Sequence, residues 1–459
     1  PFLVRSGQQE CLICINTNLI RSLKFSSGGF QSKFGDKLSS VLNVKYKQPT
    51  KNNTSLTSSA LGISINMEGY VNKKTHQLSY LMGGRIRANN FLFKSLDTKG
   101  DYKPLFKDFQ TYITYKNTNY PEWEFSLLNY YSQNKYEMTP QNREAKFGTV
   151  QEALQLTIYF EGKEIDNYET KLTAISSTYS PNKLLKLKFT SSFFQTKEQE
   201  FYDILGEYWL GELDNNIGSD QLGEVVFNRG VGAYMNHARN VFNANVFNAY
   251  HDGTYILPDM LVPFAGNQGG AIAEWGFKYQ IENIKDEIRE WVMIDSAGYS
   301  ISPINNNNLN LFEFRTGESK ILSNRISSYL QVSNSLQINN IDIYYTAGSR
   351  INYWDFNHEF FISPRGMISI KPNWNQDWVF NMSCGSYNQS PFFKEYRNEE
   401  GDLNKSIKSQ KSVHYIINSD HHFRYLNRPF KFTAAIYYKK LWDIIPFEID
   451  NLRLIYLNQ

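Results

Sequence analysis

Few residues in this chain have the type and spacing that chemistry requires. Cys11 and Cys14 form a Cys-x-x-Cys pair, which can ligate zinc or cycle as a disulfide when a second pair or a histidine lies nearby. The chain has 3 cysteines, and neither partner is close in sequence. We therefore interpret Cys11 and Cys14 as two incidental residues on a turn rather than as a metal or redox site.

Adjacent polar pairs offer little more. His421 and His422 are neighbours, and neighbours on a strand point to opposite faces, so they are poorly placed to share one metal ion. Glu399 and Glu400 lie in a long polar stretch with nothing to bury them. Without burial or a fixed partner, neither should have the shifted pKa that acid–base catalysis needs.

Nucleophilic catalysis is equally poorly supported. Asp295 and Ser296 do not form part of a Gly-x-Ser-x-Gly elbow, and no ordered Ser/His/Asp set emerges elsewhere. The sequence therefore predicts a protein that is not an enzyme, with no catalytic residues, no metal and no cofactor.

The composition narrows the class of protein. The 48 Lys+Arg residues nearly balance the 45 Asp+Glu residues, for a net charge of +3, so nothing indicates a nucleic-acid partner. No run of about 18 apolar residues exists, which excludes an ordinary transmembrane helix but not a membrane β-barrel. The aromatic content of 15% suits the aromatic girdles of such a barrel.

The elements that would position any site are strands. Beyond the first fifty residues, apolar side chains recur with a period of two. Clear examples are Ile63, Ile65 and Met67; Leu185, Leu187 and Phe189; Trp275, Phe277, Tyr279 and Ile281; and Trp378, Phe380 and Met382. The alternate positions often carry charged residues, as expected when one face meets lipid and the other a wet lumen.

The connections alternate between short and long, which favours a barrel over a sandwich. Short turns are predicted at 72–75, 119–121, 180–183, 339–340, 373–376 and 427–429. Longer polar loops are predicted at 89–105, 139–166, 197–228, 286–320 and 389–408. We count about 14–16 strands, fewer than the 22 or so of plugged outer-membrane transporters. Because a barrel cannot leave open edges in lipid, we expect strands to be missing from this sequence.

The first fifty residues follow a different pattern. A short helix or turn near 16–20 and strands at 22–27 and 40–47 flank the stretch 28–44, Gly-Gly-Phe-Gln-Ser-Lys-Phe-Gly-Asp-Lys-Leu-Ser-Ser-Val-Leu-Asn-Val. This stretch resembles the end of the plug domain in TonB-dependent receptors of Bacteroidetes type. There, a Gly-Gly-Phe turn, an aromatic-Gly pair and a Leu-Ser-Ser-Val-Leu strand precede the first barrel strand. The resemblance assigns a structural role to Gly28, Gly29, Phe30, Gly35, Asp36, Ser39 and Ser40.

The resemblance has a loose extension and one departure. It extends into the barrel at 136–160, 208–213, 236–240 and 295–299. Many of these receptors carry Glu-Val-Leu-Arg-Gly before the glycine turn, whereas this chain has Leu-Lys-Phe-Ser-Ser-Gly at 23–28. In those receptors the Glu and Arg contact the barrel wall. Residues 23–28 of this chain contain neither, so they cannot make these contacts.

The resemblance also implies an architecture and a function. The fold would be an all-β transmembrane antiparallel β-barrel, about 22-stranded when intact and incomplete here. Residues 1–50 would be the C-terminal part of a plug and residues 51–459 the barrel. The protein would lie in the outer membrane of a Gram-negative cell and take up a scarce or bulky solute. A chelate, a glycan or another small molecule would be its ligand, and the inner-membrane TonB complex would be its partner.

Two other classes of protein stay open. A passive porin would share the strands but leaves 1–50 unexplained. A secreted β-rich carbohydrate-binding protein explains aromatic loops but not the alternation of turn lengths. We place Tyr202, Tyr208 and Trp209 in a long extracellular loop, where they either contact ligand or, more simply, pack the loops together.

Cationic side chains on the predicted lumen face have two interpretations as well. They either set a field for anionic solutes or hold ion pairs with one another or with the plug. These residues are Arg85, Arg87, Lys186, Lys188 and Arg325.

Overall fold

Nearly all regular structure in this chain is β-strand. The computed structural model describes residues 15–88, 100–149, 151–257, 270–295, 310–397, 402–450 and 453–456. These ranges contain one large antiparallel sheet and two small hairpin sheets. They also contain a single-turn helix, Phe393–Tyr396, and none of their helices has the length and apolar character needed to cross a membrane.

The N-terminal part forms a hairpin of its own. After a 3-10 turn at Thr17–Leu19, β1 (Ile20–Ser26) pairs with β2 (Val41–Tyr46). The predicted turn and both predicted strands are confirmed. The loop between the strands contains Gly29, whose φ of 57° lies in the left-handed region that glycine favours. We call residues 15–47 the inner segment.

The large sheet, called the wall below, has 16 strands in the described part of the chain. Its strands are β3 (Asn53–Ser59), β4 (Gly62–Asn72), β5 (His76–Ala88), β6 (Gly100–Asn117), β7 (Tyr120–Pro140), β8 (Arg143–Gly148), β9 (Ala153–Tyr179), β10 (Leu185–Leu213), β11 (Val225–Ile256), β12 (Ile272–Asp295), β13 (Asn310–Ile338), β14 (Ile341–Trp354), β15 (Glu359–Pro372), β16 (Asp377–Gln389), β17 (Gln410–Tyr425) and β18 (Arg428–Trp442). Each strand pairs with its sequence neighbours, except that β7 and β8 both flank β9. Such a meander keeps every connection local.

The wall curls around the inner segment. Asn16 donates to Asn66 on β4 at 2.7 Å, close to one end of the sheet. Lys439 on β18, the strand at the other end, donates to the carbonyl of Ser27 at 2.7 Å. A segment this short can touch both ends only if the sheet is strongly curved. Within the described residues β3 and β18 do not pair, so the barrel is not closed.

The predicted short turns are confirmed, but the alternation with long loops holds only in part, because 60–61 and 355–358 are short connections at the other end of the wall. Short turns at 73–75, 118–119, 180–184, 339–340, 373–376 and 426–427 lie at one end of the wall. The connection 257–271 is an exception, because it is long but lies at the short-turn end. A further connection, 390–409, is long as predicted and carries the helix.

Three of the predicted long loops are wrong. Most of 139–166 belongs to β7, β8 and β9, most of 197–228 to β10 and β11, and much of 286–320 to β12 and β13. These strand ends carry polar residues on both faces, so the period-two contrast disappears. Cross-strand backbone hydrogen bonds persist there, and they keep the backbone extended.

The two faces of the wall differ in character. On β10 the outward positions Leu187, Phe189 and Phe193 alternate with the inward positions Thr190 and Ser192, as predicted from the period of two. Phe189 and Phe193 are about half exposed, and similar outward apolar residues occur on neighbouring strands. Buried polar side chains dominate the inward face, which is the reverse of a soluble domain.

Candidate functional site

The inner segment touches the wall most densely through residues 28–40, called the glycine turn below. The wall offers cationic and aromatic side chains there, mainly from β14 to β17. A Cβ at Gly29 would collide with Ser383 on β16, and a Cβ at Gly35 would collide with the Arg350 guanidinium on β14. Glycine at these two positions therefore lets the turn lie directly against the wall.

Arg365 on β15 holds the turn by its backbone. Its Nη1 donates to the carbonyl oxygens of Gln31 at 2.8 Å and Phe34 at 2.7 Å. Its guanidinium also lies 4.3 Å from the ring centroid of Tyr387 and 5.0 Å from that of Phe30. A buried arginine that satisfies several carbonyls fixes the shape of the turn as well as its position.

Arg350 on β14 makes the next contact. Its Nη2 donates to Ser327 Oγ at 2.6 Å, and its Nε donates to Asn352 Oδ1 at 3.1 Å. Beside it lies Asp36, which has a φ of 53°. Burial alone would raise the pKa of Asp36, but the charges of Lys278, Arg350 and Arg325 outweigh burial and lower that pKa.

An apolar cluster completes this contact. Phe30 is buried and lies 4.4 Å from Tyr387, centroid to centroid, and Val41 and Phe34 pack beside them. Tyr387 also stacks on His414 at 4.4 Å. Ser39 is exposed and Ser40 half-buried just before β2. Of the predicted motif residues, Gly29, Phe30, Gly35 and Asp36 thus meet the wall around Arg350 and Arg365, and Gly28 lies against Ile416 on β17.

A second apolar cluster lies on the inward face of the wall. The connection 390–409, called the roof loop below, folds inward so that Phe393, Tyr396 and Ile407 are buried. They pack with Phe242, Ala244, Ile284, Ile321 and Trp354, which are inward residues of β11 to β14. A loop from β16 thus reaches strands that lie several positions away along the wall.

Polar contacts fasten the roof loop. Arg397 donates to Asp286 Oδ2 on β12 at 2.8 Å, and the Asp286 side chain is 1% exposed. Within the loop, Glu395 Oε2 accepts from the Phe392 N–H at 2.7 Å. Burial nevertheless raises the pKa of Glu395. The roof loop is therefore held by an apolar core and by the ion pair between Arg397 and Asp286.

The predicted lumen cations divide into paired residues and residues near the turns. Arg85 donates to Asp108 through Nε at 2.8 Å and Nη2 at 2.6 Å. Arg325 forms an ion pair with Glu282 at 3.2 Å. These two hold ion pairs, the simpler of the two interpretations. Lys186 and Lys188 are exposed near the short-turn end of β10, and Arg87 is half-buried near the end of β5.

The predicted location of three aromatic residues is wrong. Tyr202, Tyr208 and Trp209 lie within β10, not in a loop. Tyr208 Oη donates to the carbonyl of Asp295 at 3.2 Å, whereas Trp209 is 40% exposed on the opposite face. Tyr208 and Trp209 point to opposite faces, and Tyr202 lies six residues, about 20 Å, along the strand from Tyr208, so the three do not form a single site. A role in ligand contact for any one of them stays a prediction.

The weak candidates for chemistry lie apart from this site. His421 stacks on Trp378 at 4.2 Å, and His422 is its neighbour on β17. Cys11, Cys14, Ser296, Glu399 and Glu400 lie outside the described residues. Among the residues that are described, no group of three or more His, Cys, Asp and Glu side chains could hold a metal ion.

The sequence did not identify Arg350, Arg365 and Tyr387 as site residues. Each alternates with outward residues on its strand, so its inward orientation was predictable. Its partner was not, because the glycine turn is more than 300 residues away in the chain.

Comparison with known proteins gives information on the fold. No protein-family model matches the chain, and no curated protein matches it. Among solved structures, it is similar to the outer membrane transporter YddB from Escherichia coli, with 10% identity over 90% of this chain and 55% of that chain, at a TM-score of 0.50. It is also similar to the RagAB peptide transporter, with 8% identity over 86% of this chain and 46% of that chain, at a TM-score of 0.44.

The chain thus spans about half the length of the solved structures it matches. At such low identity the likeness to YddB concerns the fold alone. It shows a TonB-dependent-receptor-like fold, built on a large antiparallel sheet. The fold predicted from the sequence is therefore confirmed.

Proposed function

We propose that the full-length protein is an energised transporter of the outer membrane, and that the inner segment is the end of its plug. The observation that carries the proposal is the docking of the glycine turn on Arg350 and Arg365 inside the curved wall. These contacts are hydrogen bonds to backbone carbonyls, which water can replace. A plug held in this way can be displaced without unfolding the wall.

The outward face supports a location in the membrane. Strands β14 to β18 have lengths of 13 to 16 residues, and a tilted transmembrane strand needs about 9–11. On β10, the outward positions that follow Phe193 are the polar residues Gln195, Lys197 and Gln199. From there to Leu213 the strand would extend about 50–60 Å at roughly 3.3 Å per residue. The tall strands β9 to β13 would therefore project from the cell surface.

We propose that no covalent chemistry is involved. In this proposal a small molecule, chelate or glycan binds from the cell surface, and the inner-membrane TonB complex pulls on the plug to open a path. The similarity to an outer membrane transporter supports transport across this membrane as the general role. Outer-membrane lipid is then the other partner, in contact with the outward apolar residues.

The alternative of a passive porin explains the outward face but not the inner segment. A secreted carbohydrate-binding protein would have no reason to expose Phe189, Phe193, Ile326 and Leu330 on the outside of one sheet. Both alternatives are tested by conductance of the purified full-length protein in a planar bilayer. A plugged transporter conducts little until urea displaces the plug, a porin conducts at once, and a secreted protein does not insert.

The energised step has a separate test. Lys33 in the inner segment forms an ion pair with Glu274 on β12 at 3.3 Å. The test uses a full-length variant in which every native cysteine is replaced by serine and to which Lys33→Cys and Glu274→Cys are added. Cells that express this variant are treated with a bifunctional maleimide, which cross-links the two cysteines. We expect a lower cross-linking yield in energised cells than in cells treated with a protonophore, because the plug leaves the wall.

A matched pair within the wall provides the control. Glu274 and Gln331 lie directly opposite each other on β12 and β13. Cysteines at these two positions should cross-link equally well with and without the proton-motive force. If the pair at 33 and 274 behaves in the same way as this control, the energised mechanism is wrong.

A further inference from the structure

The outward face of the wall changes from apolar to polar within a few residues on β10, β11 and β12. In the register of these strands, Phe193, Phe247 and Ile281 lie opposite one another and form an apolar row. Residues four positions apart on a strand share a face, so the residues four positions further toward the projecting ends of these strands are also outward. They again lie opposite one another and form the cationic row, which consists of Lys197, Asn243 and Lys285.

Lys197 carries a positive charge that no carboxylate of the wall neutralises. Its side chain is exposed, and in the described part of the chain it forms no ion pair. Glu169 lies directly opposite on β9, but it pairs with Lys171 at 2.9 Å. Two cations and one carboxylate therefore leave an excess of positive charge here.

Lys285 is in a similar situation on β12. It is exposed and forms no ion pair with any residue that the structure describes. Two carboxylates are close to it in the register, but Glu318 pairs with Lys320 at 2.5 Å and Glu287 pairs with Arg289 at 3.7 Å. Three cations and two carboxylates again leave an excess of positive charge. The cationic row therefore attracts anions.

Asn243 lies between the two lysines and adds a neutral donor. Neighbouring strands are about 4.8 Å apart, so the Cα atoms of Lys197 and Lys285 are about 10 Å apart. Among the described residues the side chain of Asn243 has no hydrogen-bond partner, whereas Gln195 donates to Asn245 in the adjacent row at 2.9 Å. Two flexible ammonium groups on either side of an amide can donate to the oxygens of one phosphate group.

The apolar row identifies the rest of the ligand. Phe193 is 47% exposed and Phe247 is 39% exposed, both just below the cationic row. A phosphate group held by the cationic row would place the hydrocarbon chains attached to it on these two rings. Lysines at the end of an apolar membrane surface extend their charge toward the polar headgroups. The combination fits an anionic lipid, because free phosphate would make no contact with the apolar row.

We propose that the cationic row and the apolar row together bind the phosphate-bearing headgroup and the upper acyl chains of a lipid of the outer leaflet. This inference rests on the proposed function, because it requires the wall to lie in the outer membrane. The bound lipid fixes the depth at which β10, β11 and β12 leave the membrane. The site lies on the outward face and is separate from the glycine turn and the roof loop.

Native mass spectrometry of the purified full-length protein tests the proposal, with lipid A titrated into the detergent micelles. Lys197→Gln combined with Lys285→Gln should weaken binding by about thirtyfold, as expected for the loss of two cations beside a lipid headgroup. Asn243→Asp should weaken binding by about tenfold, because the new carboxylate neutralises the lysines and repels phosphate. This substitution is nearly isosteric and keeps both lysines, so lost packing would not explain weaker binding.

Lys186→Gln combined with Lys188→Gln is the matched control, because it removes two exposed cations from the inward face of the same strand as Lys197. This control should bind lipid A as the unchanged protein does. Lipid A without its phosphate groups should bind more weakly, and with the same affinity for the unchanged protein and the variants. Equal binding of the two lipids, or equal binding of lipid A by the two double variants, overturns the proposal.

The lipid titration needs neither plug movement nor the proton-motive force. A protein that inserts into planar bilayers but fails the lipid titration overturns the lipid site alone. A protein that does not insert contradicts the proposed function itself.

Discussion

On β5 and β6, one face carries Arg85 and Asp108 as a fully buried ion pair, and the other face exposes Ile86 and Phe109 by about half. Asp108 accepts hydrogen bonds from Arg85 and from Gln110, the latter at 2.8 Å. The outward apolar groups have no protein partner to cover them. The comparison shows that each polar side chain on the inward face needs its own hydrogen-bond or ion-pair partner. The apolar side chains on the outward face need only a nonspecific apolar solvent.

The largest expected loss of stability comes from disrupting an ion pair on the inward face. Arg85→Ala leaves Asp108 buried without its counter-ion, which should cost about 3–5 kcal/mol of unfolding free energy. Urea titration of the full-length protein refolded in lipid vesicles would measure it. The control is Lys171→Ala, which removes a cation on the outward face that pairs with Glu169 in an exposed position. Equal effects of the two substitutions would contradict the distinction between the faces.

The roof loop tests whether apolar contacts inside the lumen behave like an ordinary core. Tyr396 is 1% exposed, and Tyr396→Ala should destabilise the roof loop by about 3–5 kcal/mol, since a large buried ring is lost. Hydrogen exchange at 393–397 would report the opening of the loop. Trp374→Ala removes a ring that is 60% exposed near a short turn and should leave this exchange unchanged.

A charge introduced on each face of β10 compares the faces directly. Leu187→Arg places a cation on the outward face near the short-turn end and should cost about 1–2 kcal/mol, between the values for the bilayer midplane and the interface. Thr190→Arg points into the lumen and should cost much less. Refolding titrations in vesicles would measure both. Similar costs would mean that our assignment of the two faces is wrong.

The smallest expected effect concerns pH. The lowered pKa of Asp36 means that its ionised form favours docking of the glycine turn. This contribution is present above its unfolded value of 3.8 and is lost as the pH falls through the lower folded value. Protection from hydrogen exchange in 28–40, taken relative to the intrinsic exchange rate at each pH, should therefore fall at acidic pH, and the fall should be smaller in Asp36→Asn. An unchanged fall in that variant would assign it to other carboxylates.

Much of the fold was predictable from local patterns. The period of two identified the strands and, on β10, the correct face of Leu187 and Thr190. The short turns followed from Asn and Pro residues. The pattern failed at 197–228, where β10 and β11 continue with polar residues on both faces. There the backbone pairing that maintains the strands leaves no trace in side-chain polarity.

The site was predictable on one side only. The motif at 28–44 identified Gly29, Phe30, Gly35 and Asp36 as residues of a tight turn, because a tight turn requires glycine at particular positions in the local sequence. The roles of Arg365 and Lys278 could not be predicted from the local sequence, since any strand that lines a polar lumen carries cations at alternate positions.

The sequence by itself therefore determined the features that depend on residues close together in the chain. These are the alternation of the strands, the short turns and the glycine motif. Only the tertiary structure decided which cations are paired, as Arg85 is, and which meet the plug, as Arg365 does. The physical reason is that this choice depends on how the curved wall brings residues more than 300 positions apart to the same place. No local propensity encodes that register.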